Sequence, residues 1–124
     1  GLYDAILIKD NHIKVAGNIT EAVRRARAYA SHMTRIEVET ESLEQVQEAL
    51  AAGADAILLD NMAPAQLAEA VKLIDHQAIA EASGGIREDT LAAAAQSGVD
   101  IISVGALTHS VQALDISMDI GTIK

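Results

Sequence analysis

Short aliphatic runs alternate with longer amphipathic segments along most of this chain. The runs occupy residues 5–8, 36–38, 56–59, 78–80 and 101–104. Between them, apolar residues recur at helical spacing, which predicts helices over about 19–31, 42–52, 64–75 and 88–97. A further run, 114–120, alternates apolar and polar residues and predicts a closing or edge strand. This alternation predicts an α/β fold in which helices connect the strands of a mostly parallel sheet.

The composition restricts the kinds of partner that the chain could bind. Its 124 residues suffice for one domain, and the hydrophobic half is aliphatic, with two Tyr and neither Phe nor Trp. A formal charge of −9 argues against a nucleic-acid surface, which would need a cationic face. There is no Cys for a disulfide, a zinc site or a thiol nucleophile. No apolar stretch approaches about 20 residues and no signal segment leads the chain, so we expect a cytoplasmic protein that contacts no membrane.

Two segments of the chain repeat the same pattern. Residues 52–60 read AGADAILLD and residues 97–105 read SGVDIISVG. In each segment a glycine suits the left-handed position that ends a helix, an aspartate follows two residues later, and an aliphatic strand comes next. A recurrent turn without functional meaning would explain Gly53 and Gly98. The alignment also places Asp60 and Gly105 at the same level, the carboxyl end of a strand.

Polar and glycine residues follow each aliphatic run. They are Lys9, Glu39, Asp60, the triplet Ser83-Gly84-Gly85, and Gly105 with His109. The carboxyl ends of parallel strands meet at one edge, and in α/β sheets and barrels ligands bind at that edge. At any single position the alternative is simply that a strand end is polar, but the succession predicts a ligand site.

The residue types at this edge point to a phosphorylated sugar. Glu39 and Asp60 form a carboxylate pair suited to ribose hydroxyls or a divalent cation, the alternative being two unrelated solvated acids. The Ser83-Gly84-Gly85 turn and the turn at Gly105 would let backbone N–H groups approach phosphate oxygens. His109 is either an anion contact or a structural hydrogen-bonding residue.

Lys9 is the basic residue that the pattern places at this edge. The other basic side chains fall mainly in the predicted helices or away from the strand ends. A multiply phosphorylated substrate would need more positive charge than one lysine supplies. Metal ions, backbone donors and cations from other segments would therefore have to contribute.

Several motifs together resemble the quinolinate phosphoribosyltransferase family. They are Gly1-Leu-Tyr-Asp4, Leu7-Ile-Lys-Asp-Asn-His12, Ile36-Glu-Val-Glu39, Leu59-Asp-Asn61, Glu81-Ala-Ser-Gly-Gly-Ile86, Ser103-Val-Gly-Ala-Leu-Thr-His-Ser110 and Asp115-Ile-Ser117. The resemblance implies a TIM-barrel-like fold, here a partial (β/α) barrel of about six mostly parallel strands. It also implies a homodimeric, magnesium-dependent enzyme that makes nicotinate mononucleotide, carbon dioxide and pyrophosphate from quinolinate and phosphoribosyl pyrophosphate, in NAD biosynthesis.

The resemblance assigns roles to the matching residues. Lys9 would meet the quinolinate carboxylates or the phosphates of the donor. Glu39 and Asp60 would hold the ribose and the Mg²⁺ region, which makes them the candidate metal ligands. The phosphate would be cradled by Ser83, Gly84, Gly85, Gly105 and His109.

The family pattern also contains features that this sequence does not show. A His-Arg pair before Gly1 and an N-terminal domain rich in Arg and Lys are expected from the family and absent here. Residues 1–124 are therefore expected to be the C-terminal portion of the barrel domain, without its first elements and incapable of turnover alone. Two alternatives remain: a non-catalytic partial barrel that self-associates, or another enzyme that binds sugar phosphates.

Overall fold

Five helices and six strands alternate along the chain in the computed structural model, which describes residues 5–84, 88–103 and 113–115. The strands are β1 (Ala5–Ile8), β2 (Arg35–Thr40), β3 (Ala56–Asp60), β4 (Ile79–Ser83), β5 (Ile101–Ser103) and β6 (Ala113–Asp115). The helices are α1 (Asp10–Ala16), α2 (Ile19–Tyr29), α3 (Leu43–Ala51), α4 (Pro64–Ile74) and α5 (Glu88–Gln96). The predicted α/β alternation is confirmed.

The four predicted helices correspond to α2, α3, α4 and α5, and each ends within two residues of its predicted bounds. Local signals explain where they begin. The Asn18 side chain accepts a hydrogen bond from the N–H of Glu21 at 2.7 Å, and Ser42 caps α3 in the same way. Pro64 occupies the first turn of α4, where its missing N–H costs no hydrogen bond.

Helix α1 was not predicted, because its seven residues carry too little apolar periodicity to stand out. The first predicted helix begins only at about residue 19, which leaves Asp10, Asn11 and His12 in a loop after the first aliphatic run, and that expectation is wrong. Instead, the ring Nδ1 of His12 accepts a hydrogen bond from the N–H of Lys9 at 3.0 Å and closes the first turn of the helix. His12 therefore has a structural role.

The sheet has the strand order β1-β2-β3-β4-β5-β6, and β1 to β5 are parallel. An order without reversal is that of a barrel wall, because right-handed crossovers then place every helix on the same face. Strand β6 runs antiparallel to β5. It confirms an edge strand in the 114–120 region, of which residues 116–120 lie outside the described part. Within that part β1 and β6 are the two edges, as expected for a partial barrel.

The main core lies between one face of the sheet and the helices. It includes Ile36, Val38, Ile57, Leu59 and Ile102, which are all fully buried or nearly so. Because side chains alternate along a strand, the intervening residues point to the opposite face, which corresponds to a barrel interior. Charged side chains occur on that face, including Glu37 and Glu81, each only 8% exposed.

The aspartates of the two repeated segments make the same pair of hydrogen bonds, which confirms that the two segments are equivalent. The backbone N–H of Asp55 donates to the Ile36 carbonyl at 2.9 Å, and the Asp55 carboxylate accepts from the N–H of Ile36 at 2.8 Å. Asp100 makes the same pair of bonds to Ala80, at 2.8 Å and 2.9 Å. Each repeated aspartate thus ties the start of its own strand to the start of the preceding strand.

Candidate active site

The carboxyl ends of β1 to β4 bring most of the predicted site residues to one edge of the sheet. Lys9 follows β1 directly, Glu39 lies near the end of β2, Asp60 ends β3 and Ser83 ends β4. Strand register pairs Glu39 with Leu58, two residues before Asp60, and pairs Asp60 with Ser83. By strand alternation, Glu39, Asp60 and Ser83 therefore share the face of the sheet opposite to the helix-packed core.

The environment of Glu39 shows that three of these charges lie within electrostatic range of one another. Partial burial is the main cause that raises the pKa of Glu39 above its usual value, and the negative charge of Asp60 raises that pKa further. The positive charge of Lys9 acts in the opposite direction, while Glu41 and Asp10 add smaller upward contributions. Lys9 is exposed, whereas Glu39 and Asp60 are half-buried. The group therefore has carboxylates in the wall and an accessible cation at the rim.

The ends of β3 and β4 are held together by their backbones. The N–H of Asn61 donates to the Ser83 carbonyl at 3.0 Å, with Asn61 in the left-handed region at a φ of 54°. Gly84 has a φ of 96°, and a Cβ atom at this position would lie 2.7 Å from the Asn61 nitrogen and 2.9 Å from Asp60 Oδ1. Only glycine satisfies both the backbone conformation and this close approach.

A further carboxylate, that of Glu81, lies on the same face and has no role predicted from the sequence. Glu81 lies two residues before Ser83, is largely buried, and accepts a hydrogen bond from the hydroxyl of Ser103 on β5. Strand alternation from Ser83 was the signal that could have found it. On β2, the buried Thr40 donates to the Leu58 carbonyl at 3.0 Å and joins β2 to β3 just below the rim.

A divalent cation fits the carboxylate pair only in one mode of binding. Among the residues that the structure describes, no cluster of three or more His, Asp and Glu side chains could enclose a metal ion. Mg²⁺, however, is usually held by one or two carboxylates together with water and substrate phosphates. Glu39 and Asp60 could supply that partial donor set. A cation between them would relieve the repulsion by Asp60, which adds to the effect of burial in raising the pKa of Glu39.

The remaining predicted site residues, Gly85, Gly105 and His109, lie outside the described residues. Of the predicted phosphate cradle, only Ser83 and Gly84 are described. In the part of the chain that is described, no helix is long and apolar enough to cross a membrane.

Comparison with known proteins adds independent information about this arrangement. Residues 1–119 match the family model described as "Quinolinate phosphoribosyl transferase, C-terminal domain". A Bacillus subtilis protein described as a probable carboxylating nicotinate-nucleotide pyrophosphorylase is 53% identical over 120 residues, covering 97% of this chain and 42% of the relative. A Methanocaldococcus jannaschii protein with the same description is 48% identical over 126 residues, covering 96% of this chain and 44% of the relative.

Comparison with solved structures points to the same family. The nicotinate-nucleotide pyrophosphorylase of Francisella tularensis superimposes with a TM-score of 0.80 at 42% identity, over 93% of this chain and 41% of that one. The chain thus spans less than half the length of the relatives that it matches. The resemblance seen in the sequence motifs is confirmed. With 119 of 124 positions covered by the family match, the chain belongs to the quinolinate phosphoribosyl transferase family and corresponds to its C-terminal domain.

Proposed function

We propose that the protein carrying this chain is a carboxylating nicotinate-nucleotide pyrophosphorylase. It would transfer the phosphoribosyl group of phosphoribosyl pyrophosphate to the ring nitrogen of quinolinate, and release pyrophosphate and carbon dioxide. Nicotinate mononucleotide, a precursor of NAD, is the product. The observation that carries this proposal is the convergence of Lys9, Glu39 and Asp60 at one strand edge in a member of this family.

The carboxylates of Glu39 and Asp60 act on the ribose. Departure of pyrophosphate leaves positive charge on the ribose ring, and two partly desolvated carboxylates stabilise that charge more strongly than water would. Both side chains lie on the sheet face opposite to the helices, next to the strand ends where a donor would bind. Their mutual repulsion in the free protein is offset when the developing positive charge lies between them.

The substrate itself supplies the chemistry of decarboxylation. Attack by the pyridine nitrogen on the ribose carbon forms the new bond and leaves the ring cationic. The cationic ring stabilises the electron pair that the breaking bond to the adjacent carboxylate leaves on the ring carbon. That carbon then takes up a proton from water, so no general base is needed. The role of the protein is therefore to bind, orient and stabilise charge.

Lys9 supplies the positive charge at the rim. It would contact a quinolinate carboxylate or a phosphate of the donor. A cation at the amino end of α1 gains nothing from the helix dipole, which favours anions there. A binding role accounts for Lys9 better than a contribution to helix stability does.

Mg²⁺ and the phosphate cradle complete the proposal. Glu39 and Asp60 would hold the ion, and when bound it neutralises the pyrophosphate leaving group. Ser83, Gly84, Gly85, Gly105 and His109 would bind the 5′-phosphate, with backbone N–H groups as the main donors. A metal held this way depends on the substrate phosphates, because the two carboxylates alone are too few ligands.

The charge of the site determines whether this chain could bind the anionic substrates by itself. Lys9 is the cation that the described strand ends present, against the carboxylates of Glu39 and Asp60. The two carboxylates of quinolinate, together with the 5′-phosphate and the pyrophosphate of the donor, would need more cations than this. We therefore propose that residues 1–124 form the C-terminal portion of the barrel domain and do not turn over alone. A homodimer in the cytoplasm is the proposed working state.

The proposal is tested by assaying the complete gene product with quinolinate, phosphoribosyl pyrophosphate and Mg²⁺. Formation of nicotinate mononucleotide with release of one carbon dioxide for each product is expected. Asp60→Ala should weaken the binding of phosphoribosyl pyrophosphate by roughly tenfold or more while leaving it measurable, whereas Glu69→Ala, at an exposed site on α4, should leave it unchanged.

Other outcomes would identify the alternatives. Binding of simple sugar phosphates without any reaction of quinolinate would refute the transferase and favour another phosphate-binding barrel enzyme. Absence of ligand binding, with concentration-dependent self-association, would favour a non-catalytic module. Appreciable turnover by residues 1–124 alone would refute the proposal that the site is incomplete in this chain.

A further inference from the structure

Gly84, the first residue after β4, packs directly on the end of β3, where Asp60 lies. A Cβ atom at Gly84 would come within 2.9 Å of Asp60 Oδ1 and 3.0 Å of Asn61 Cα. Carbon atoms of side chains essentially never approach other heavy atoms this closely. The two strand ends can therefore keep this separation only because residue 84 has no side chain.

The atoms opposite Gly84 cannot all move aside. The shortest contact, 2.7 Å, would be to the backbone nitrogen of Asn61, whose N–H is bonded to the Ser83 carbonyl. A side chain at residue 84 must therefore displace the backbone of β3 or β4, or rotate the Asp60 carboxylate. Either movement changes the direction in which that carboxylate faces the strand edge.

We propose that Gly84 is a positioning residue for Asp60: its close contact sets the orientation of the carboxylate toward the ribose of the donor. This inference rests on the proposed function and extends it, because it assigns Gly84 a task apart from contacting phosphate. Gly84 acts through Asp60 and is not itself a catalytic residue. Misplacement of a charge-stabilising group by about 1 Å lowers rates by roughly 100-fold.

Comparison of two glycine variants of the complete gene product separates this effect from backbone strain. Gly53 has a φ of 85°, close to that of Gly84, but a Cβ atom there would meet nothing within 4 Å. Both Gly84→Ala and Gly53→Ala should therefore lower the melting temperature, and Gly84→Ala should lower it further because its side chain also displaces neighbouring atoms. Only Gly84→Ala should lower kcat/KM for phosphoribosyl pyrophosphate, by roughly 10- to 100-fold. The KM for quinolinate should stay within about threefold.

A double-mutant cycle tests whether the effect passes through Asp60. In the Asp60→Ala background, Gly84→Ala should cost less than about threefold in binding of phosphoribosyl pyrophosphate measured by calorimetry. Equal losses with and without Asp60 would overturn the inference. So would a Gly84→Ala crystal structure with an unchanged Asp60 carboxylate.

The role of Gly84 can be tested even if the wild-type protein is inactive or the Gly84→Ala variant does not fold. A wild-type protein without transferase activity would refute the proposed function, and the crystal structure of the variant would still decide the role of Gly84. If Gly84→Ala does not fold, the wild-type structure with bound phosphoribosyl pyrophosphate decides instead. Asp60 should remain against Gly84 in that complex, and an Asp60 carboxylate turned away from Gly84 would overturn the inference.

Discussion

Replacing Asp100 by alanine should destabilise the protein by removing one strand-joining hydrogen bond. The Asp100 carboxylate accepts a bond from the N–H of Ala80 at 2.9 Å, and Ala80 is only 2% exposed. Alanine leaves this buried N–H without that acceptor. Hydrogen bonds to charged groups contribute about 1.5–3 kcal/mol, so we expect the free energy of unfolding to fall by about 2 kcal/mol.

A second variant at the same position separates the contribution of the hydrogen bond from that of the carboxylate charge. Asp100→Asn keeps a side-chain oxygen that can accept the bond but removes its charge, so the expected loss is about 1 kcal/mol. The backbone bond from Asp100 to the Ala80 carbonyl, at 2.8 Å, is retained in both variants. Alanine should therefore cost clearly more than asparagine.

The assay is equilibrium unfolding in urea, in which a pure change in stability shifts the midpoint and leaves the slope unchanged. Asp10→Ala is the matched control, because Asp10 makes an exposed ion pair with Lys14, in which the two side chains are 76% (Lys14) and 59% (Asp10) exposed. Such pairs contribute about 0–1 kcal/mol. If Asp100→Ala costs no more than Asp10→Ala, the proposed role of the repeated aspartate is wrong.

Three further predictions concern the residues near the strand ends. Glu39→Gln should raise the melting temperature at neutral pH while it abolishes transfer. The raised pKa of Glu39 means that the folded state favours the protonated form of this side chain. The stability advantage of Gln should therefore shrink as the pH falls through that pKa. An advantage that persists when Glu39 is protonated would contradict this. Lys9→Met should raise the pKa of Glu39 further, measured by NMR titration, because a positive charge that lowers it is lost; an unchanged pKa would show that the two do not interact. Thr40→Val should lower the free energy of unfolding by about 1 kcal/mol, because the Leu58 carbonyl loses a buried donor at 3.0 Å, and an unchanged urea midpoint would refute this.

The fold was largely predictable because its signals are local. Helices α2 to α5 each follow from apolar spacing within about ten residues, and β2 to β5 from short aliphatic runs. Helix α1 was not predicted, because it is short and because histidine, which closes its first turn, is not one of the usual capping residues. The identification of Lys9, Glu39 and Asp60 as strand-end residues succeeded for the same local reason.

Contacts between residues far apart in the chain could not be read in this way. The pattern showed that Asp55 and Asp100 are equivalent, but not that each accepts a bond from the first part of a preceding strand. It showed a glycine at position 84, but not that Asp60 lies against it. It showed Glu81 directly after the aliphatic run 78–80, but not its bond from Ser103 on β5.

The sequence by itself thus determined which segments are strands and helices and which side chains stand at the strand ends. Composition and periodicity act within one segment, so they carry this information directly. The tertiary structure decided which strand ends are neighbours, which face each side chain occupies and how closely Gly84 approaches Asp60. These depend on the register between strands about 20 residues apart in the chain, and register is set when the helices bury one face of the sheet.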